Sequence, residues 1–130
     1  MVNRVGKEYN DFCIIVDEPV IGKDTWIGYF TLLDGSGKLN IGEHCSIASG
    51  VHIYTHDTVR WATLNLEKGQ GTIKSDVKIG NNCFIGANST ILRGVQIGNN
   101  CIVGAGSVVL QYTHIKDGEV WAGVPAKRVK

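Results

Sequence analysis

The chain has 130 residues and a formal net charge of +1, from 13 basic and 12 acidic residues scattered along it. That length makes one domain, residues 1–130, and the mixed charge leaves no basic footprint for nucleic acid. No apolar run approaches a membrane span, and two prolines among 17 glycines without a collagen period exclude a fibre.

In chain order, residues 1–12 are polar and aromatic without a clear period and read as a lead-in or cap. The opening Met-Val-Asn-Arg-Val-Gly-Lys-Glu lacks an apolar signal core, so the chain is expected in the cytoplasm. From Ile15 an apolar residue returns every six positions, at Ile21, Ile27 and Leu33. The stretch Asp34-Gly-Ser-Gly-Lys38 then interrupts, and the markers resume two positions late at Ile41, Ile47 and Ile53. A glycine-rich insertion of that size reads as a widened corner or a bulge. After Ile53 the period vanishes, and from Ile79 it runs unbroken through Ile85, Ile91, Ile97, Val103, Val109, Ile115 and Trp121.

A six-residue period drifts out of phase with a helix and with any long strand. It fits a short strand and a turn repeated around a polygonal coil. The marker and the residue two before it share one strand face, so Val77, Cys83, Ser89, Val95, Cys101, Ser107 and Thr113 should point inward with the markers. Glycine directly after the marker, at Gly80, Gly86, Gly98 and Gly104, fits a sharp bend or a close approach of backbone. The fold expected is an all-β, single-stranded parallel β-helix. One long loop, at about 57–76, protrudes from it, and a loop of that length in a compact domain is usually functional.

The same register accounts for the four cysteines. Cys13, Cys45, Cys83 and Cys101 all stand two before a marker, where a thiol fills the coil as a small apolar group. None has a close metal-ligand spacing to another and the expected compartment is reducing, so neither zinc nor disulfide is expected. Among the histidines, His44, His52 and His114 fall at outward or corner positions. His56 stands apart, because it lies where the repeat ends and the loop begins, with carboxylates nearby. An imidazole in such a place can accept a proton near neutral pH.

The segments Gly-Val-His-Ile-Tyr-Thr-His (50–56), Ile-Gly-Asn-Asn-Cys-Phe-Ile-Gly (79–86), Val-Gly-Ala-Gly-Ser-Val-Val (103–109) and Trp-Ala-Gly-Val-Pro-Ala-Lys-Arg-Val (121–129) together resemble the sugar O- and N-acetyltransferases of the hexapeptide-repeat family. The resemblance covers about residues 13–130 and implies a left-handed coil of three faces, so that residues eighteen apart stack. It also implies a homotrimer with acetyl-CoA in the groove between neighbouring coils, and an acetyl transfer to a sugar or nucleotide-linked sugar. His56 then falls at the family's general base, Ala87 and Ala105 at positions that let pantetheine lie against the coil, and Lys127 and Lys130 at positions that meet phosphate. Arg60 and Trp61, in the loop, are candidates to contact the sugar or nucleotide-sugar; Trp61 could equally pack the loop onto a neighbour.

Two departures limit the resemblance. Galactoside and maltose acetyltransferases have two more residues before their histidine. They also carry an upstream asparagine where this chain has Gly28. The group that orients His56 must therefore differ, and Asp34 in the widened corner is the candidate, with Asp57 as the alternative. The departures point to an enzyme of surface polysaccharide synthesis, such as lipopolysaccharide, over a close galactoside acetyltransferase relative. Two further readings are a trimeric β-helix that only binds or spaces a partner, and a metal enzyme like the γ-class carbonic anhydrases. The second lacks a third histidine at suitable spacing from His52 and His56.

Overall fold

The computed structural model describes residues 12–130 throughout, together with residues 2–4 and 7–9, which pair as two antiparallel strands. The reading of the start as a cap otherwise lies outside the described residues. From Ile14 onward the chain winds as a parallel β-helix of three sheets. The first face carries the strands Ile14–Val16, Leu32–Asp34, His52–Ile53, Thr90–Ile91 and Val108–Val109. The second carries Val20–Ile21, Leu39–Ile41, Val77–Ile79, Gln96–Ile97 and His114–Ile115. The third carries Trp26–Ile27, Ser46–Ile47, Phe84–Ile85, Ile102–Val103 and Val120–Gly123, closed by the antiparallel strand Ala126–Arg128.

Register explains the six-residue period. Ile41, Ile79, Ile97 and Ile115 pair in line on the second face, and Ile47, Ile85, Val103 and Trp121 on the third. These markers form one apolar column with the residues two before them, and both Ser89 and Ser107 are fully buried. Removing each such aliphatic side chain from water stabilises the coil by roughly 1.5–3 kcal/mol. The cysteines join the column as expected. Cys45, Cys83 and Cys101 are buried free thiols that donate to the carbonyls of Gly80, Gly98 and Lys116 at 3.0–3.1 Å.

The corners divide the two tasks proposed for glycine. The bend is made three residues after the marker, where Asn82, Asn88, Gly94, Asn100, Gly106, Tyr112 and Gly118 all have positive φ. Asn and Gly tolerate that conformation most easily. The glycine directly after the marker serves close approach instead: a Cβ at Gly86 would stand 2.4 Å from the Ala105 nitrogen of the next coil.

Candidate active site

The loop leaves the coil at the corner between the first and second faces, and the same corner one coil earlier is the widened stretch 34–38. One coil later that corner is Leu92-Arg93-Gly94, and one further it is Leu110-Gln111-Tyr112. The loop itself begins as a hairpin. His56–Asp57 pairs antiparallel with Ile73–Lys74, the Ser75 N–H donates to the Thr55 carbonyl at 2.9 Å, and one helical turn, Val59–Thr63, lies between.

The structure brings His56 and Asp34 together. His56 Nδ1 lies 2.5 Å from Asp34 Oδ2, and the Ser36 hydroxyl stands 3.3 Å from the same nitrogen. Asp34 is only 1% exposed. Burial pushes its carboxyl up, but hydrogen bonds from the Thr55 N–H, from Ser36 and from His56 outweigh burial and hold it down at about 2. The two oxygens divide the work. Oδ1 accepts the Ser36 N–H at 2.9 Å and closes the turn, while Oδ2 accepts the Thr55 N–H at 2.9 Å and faces the imidazole. The widened corner is thus both an Asx turn and an acceptor for a histidine. An ionised carboxylate only accepts, so the proton of a neutral His56 sits on Nδ1 and the Nε2 lone pair is left for another partner.

Beside His56 is a cavity of about 460 Å³, with Val59, Ala62 and Leu92 as its apolar lining and Tyr54, Asp57, Thr58, Arg93 and Gln111 as its polar one. Asp57, the alternative partner for His56, turns the other way, as neighbours on a strand do. It accepts from Arg93 Nε at 2.5 Å. That hydrogen bond, more than any other influence, holds the Asp57 carboxyl below its usual range.

The remaining candidates are dispersed. Arg60 is exposed on the helical turn and is not among the residues lining this cavity. Trp61 lines a separate cavity of about 230 Å³ with Thr58, Lys68, Gly69, Gln70 and Thr72. Ala87 and Ala105 stack at the corner between the third and first faces, at the other end of the strands Thr90–Ile91 and Val108–Val109 from His56. There the Gly106 N–H donates to the Ala87 carbonyl at 2.8 Å. Lys127 lies in the closing strand opposite Ala122, and both Lys127 and Lys130 are exposed. Among the described residues no three of His, Cys, Asp or Glu gather as a metal-ligating group.

Sequence reasoning missed four groups of this corner: Ser36, Ser75, Arg93 and Tyr112. Arg93 donates to Tyr112 Oη at 2.5 Å and to Ser75 Oγ at 3.3 Å, and Ser75 and Tyr112 hydroxyls are 3.0 Å apart. A signal for Tyr112 was present. It occupies a bend, at φ 62°, where the neighbouring coils use Asn or Gly.

Residues 76–111 match the family model described as the hexapeptide repeat of succinyl-transferase. That stretch lies within the regular coils of the parallel β-helix. Among solved structures, the chain is similar to AntD, an N-acyltransferase from Bacillus cereus in complex with dTDP and 3-hydroxybutyryl-CoA. They share 28% identity at a TM-score of 0.81, over 93% of this chain and 66% of AntD. A maltose O-acetyltransferase from Clostridium difficile 630 gives 29% and 0.74, over 92% of this chain and 66% of that one. A hexapeptide-repeat acetyltransferase from Vibrio cholerae, complexed with acetyl coenzyme A, gives 27% and 0.71, over 95% and 62%. The chain therefore spans about two thirds of the length of these proteins. No curated protein matches it in sequence.

Proposed function

We propose that this protein is an acyltransferase that moves the acetyl group of acetyl-CoA to a hydroxyl or amino group of a sugar or nucleotide-linked sugar, with His56 as general base. The observation that carries the reading is the buried Asp34 carboxylate against His56 Nδ1, with the ring beside a cavity of about 460 Å³. The similar structures support the choice of donor and acceptor: one similar protein binds acetyl coenzyme A, and a variant of AntD binds dTDP-4-amino-4,6-dideoxyglucose together with coenzyme A.

A sugar hydroxyl is a poor nucleophile at neutral pH. His56 Nε2 takes its proton as the oxygen attacks the thioester carbonyl carbon; the carbon–sulfur bond then breaks and the proton passes to the departing thiolate. A positioned base contributes about two to four powers of ten in rate. For an amine acceptor, the same nitrogen takes the proton from the ammonium formed by attack. Asp34 keeps the imidazole in the tautomer that can do this and stabilises the positive charge that develops. On the donor side, pantetheine would run along the first face from the small corner at Ala87 and Ala105 toward His56. Lys127, opposite Ala122 near that corner, and Lys130, further along the closing segment beside Val120, would meet its phosphates as point charges. Arg60 and Trp61 would serve the acceptor.

The working unit is a homotrimer in this reading. Phe84 and Ile102 are adjacent on the outside of the third face, 44% and 43% exposed, with Trp26, 53% exposed, in the same row beyond Ser46, and outward apolar groups of this kind suit a surface that another chain covers. The reaction belongs to the cytoplasm, where acetyl-CoA is made, and to the building of a surface polysaccharide. No helix of the described residues is long and apolar enough to cross a membrane. Thiol release from acetyl-CoA across a panel of sugars and nucleotide-linked sugars tests the activity, with titration calorimetry of acetyl-CoA beside it. Saturable binding and turnover with at least one acceptor are expected; absence of both would leave only a binding or spacing role.

A further inference from the structure

His56 and Asp57 form a strand of two residues whose side chains leave it in opposite directions. His56 is held from the coil below, by Asp34. Asp57 is held from the coil above, by Arg93 Nε at 2.5 Å. Arg93 also reaches the far foot of the loop, since its Nη1 donates to Ser75 Oγ at 3.3 Å, and it is itself braced by Tyr112 Oη at 2.5 Å. Its side chain is 13% exposed and that of Asp57 21%, so water competes weakly for the pair. The Arg93 guanidinium also lies over the Tyr112 ring, 5.1 Å from its centre.

We propose that Arg93 is the positioning residue of the site, a clamp that ties both feet of the 57–76 loop to the regular coil and thereby fixes the direction of the His56 ring. The planar fork of an arginine is needed because one group must serve three acceptors, the Asp57 carboxylate and the Ser75 and Tyr112 hydroxyls, in fixed directions. Tyr112 bears the left-handed conformation at φ 62°, where its neighbours use Asn or Gly, and that conformation brings its hydroxyl to the clamp. The hairpin alone leaves His56 fewer constraints: its own pairing amounts to His56 with Lys74 and Asp57 with Ile73.

This inference rests on His56 as the base for its kinetic part but not for its structural part, and the experiment separates the two. Arg93→Gln, Arg93→Lys, Asp57→Asn and the double variant Arg93→Gln/Asp57→Asn are each measured for acetyl transfer and for trypsin cleavage of the loop, which offers Arg60, Lys68 and Lys74. Arg93→Gln and Asp57→Asn should each lower kcat by up to about a hundredfold, as a small misplacement of a catalytic group does, with KM for acetyl-CoA unchanged. The double variant should be no worse than the poorer single, and Arg93→Lys should recover part of the loss by keeping one bond to Asp57. Loop cleavage should speed up in both single glutamine and asparagine variants at an unchanged melting temperature. Additive losses, or a cleavage rate equal to that of the wild type, would overturn the clamp. If the wild type transferred no acetyl group, the general-base reading would fall and the cleavage rates alone would decide the clamp.

Discussion

The corner at Gly86-Ala87-Asn88 and the corner at 54–76 join strands of the same coil, yet they share almost nothing. The first turns in six residues, bends at Asn88, and packs so tightly on Ala105 that a Cβ at Gly86 would collide. The second expels about twenty residues, encloses a cavity and buries a carboxylate against an imidazole. In the first, every residue is explained by the coil above and below it. In the second, polar groups from three successive coils converge: Asp34 and Ser36, then His56, Asp57 and Ser75, then Arg93. The repeat supplies rigidity, and its interruption gathers the polar groups on which the proposed chemistry rests.

If that division is right, stability should be most sensitive in the regular coils. Ile85→Ala, at a fully buried marker, should cost about 2–5 kcal/mol, read as a shift in the denaturation midpoint without change of slope. Asp34→Asn touches both halves of the comparison. Its carboxyl titrates near 2 in the folded protein against 3.8 when free, which is worth about 2 kcal/mol at neutral pH. A lowered pKa stabilises only while the group is ionised. The contribution is therefore whole above about pH 4 and fades as the pH falls toward 2, and the variant's denaturation curve should converge on the wild type's over that window. The same substitution should lower kcat by about 10–100-fold, as loss of an orienting partner does.

Replacing residues 60–72 by a short Gly-Ser link should leave the melting temperature within a few degrees, because loop closure depends only weakly on length. It should nonetheless abolish transfer, because Ala62 leaves the cavity lining and the loop roof goes with it. The smallest effect is expected at Trp61, which lines the second cavity: Trp61→Ala should raise KM for the acceptor a few-fold and leave KM for acetyl-CoA unchanged.

How much was legible follows from the same contrast. The coil could be read from Ile79 to Trp121 because each marker must stack on another, so the pattern recurs locally and survives in a single sequence. The break in the period marks where His56 stands and the two extra residues mark the corner of Asp34, and the contact between them is what the structure adds. Arg93 could not be read that way. Its neighbours are set by how far the loop's feet are offset from the coil, and no periodicity encodes that offset. Arg60 and Trp61 are candidate acceptor contacts by their place in the loop, and the helical turn Val59–Thr63 sets Trp61 against a cavity wall with Arg60 exposed beside it. The glycines after the markers were correctly assigned to bend or approach, and which of the two depends on φ, a property the spacing does not carry.

The most direct measurement is the turnover of His56→Ala beside the wild type, with acetyl-CoA saturating and the best acceptor of the panel. The account predicts a fall of about two to four powers of ten in kcat with unchanged acetyl-CoA affinity and an unchanged fold. Full activity in that variant would contradict it, and the Asp34–His56 pair would then be an ordinary ion pair at the foot of a loop.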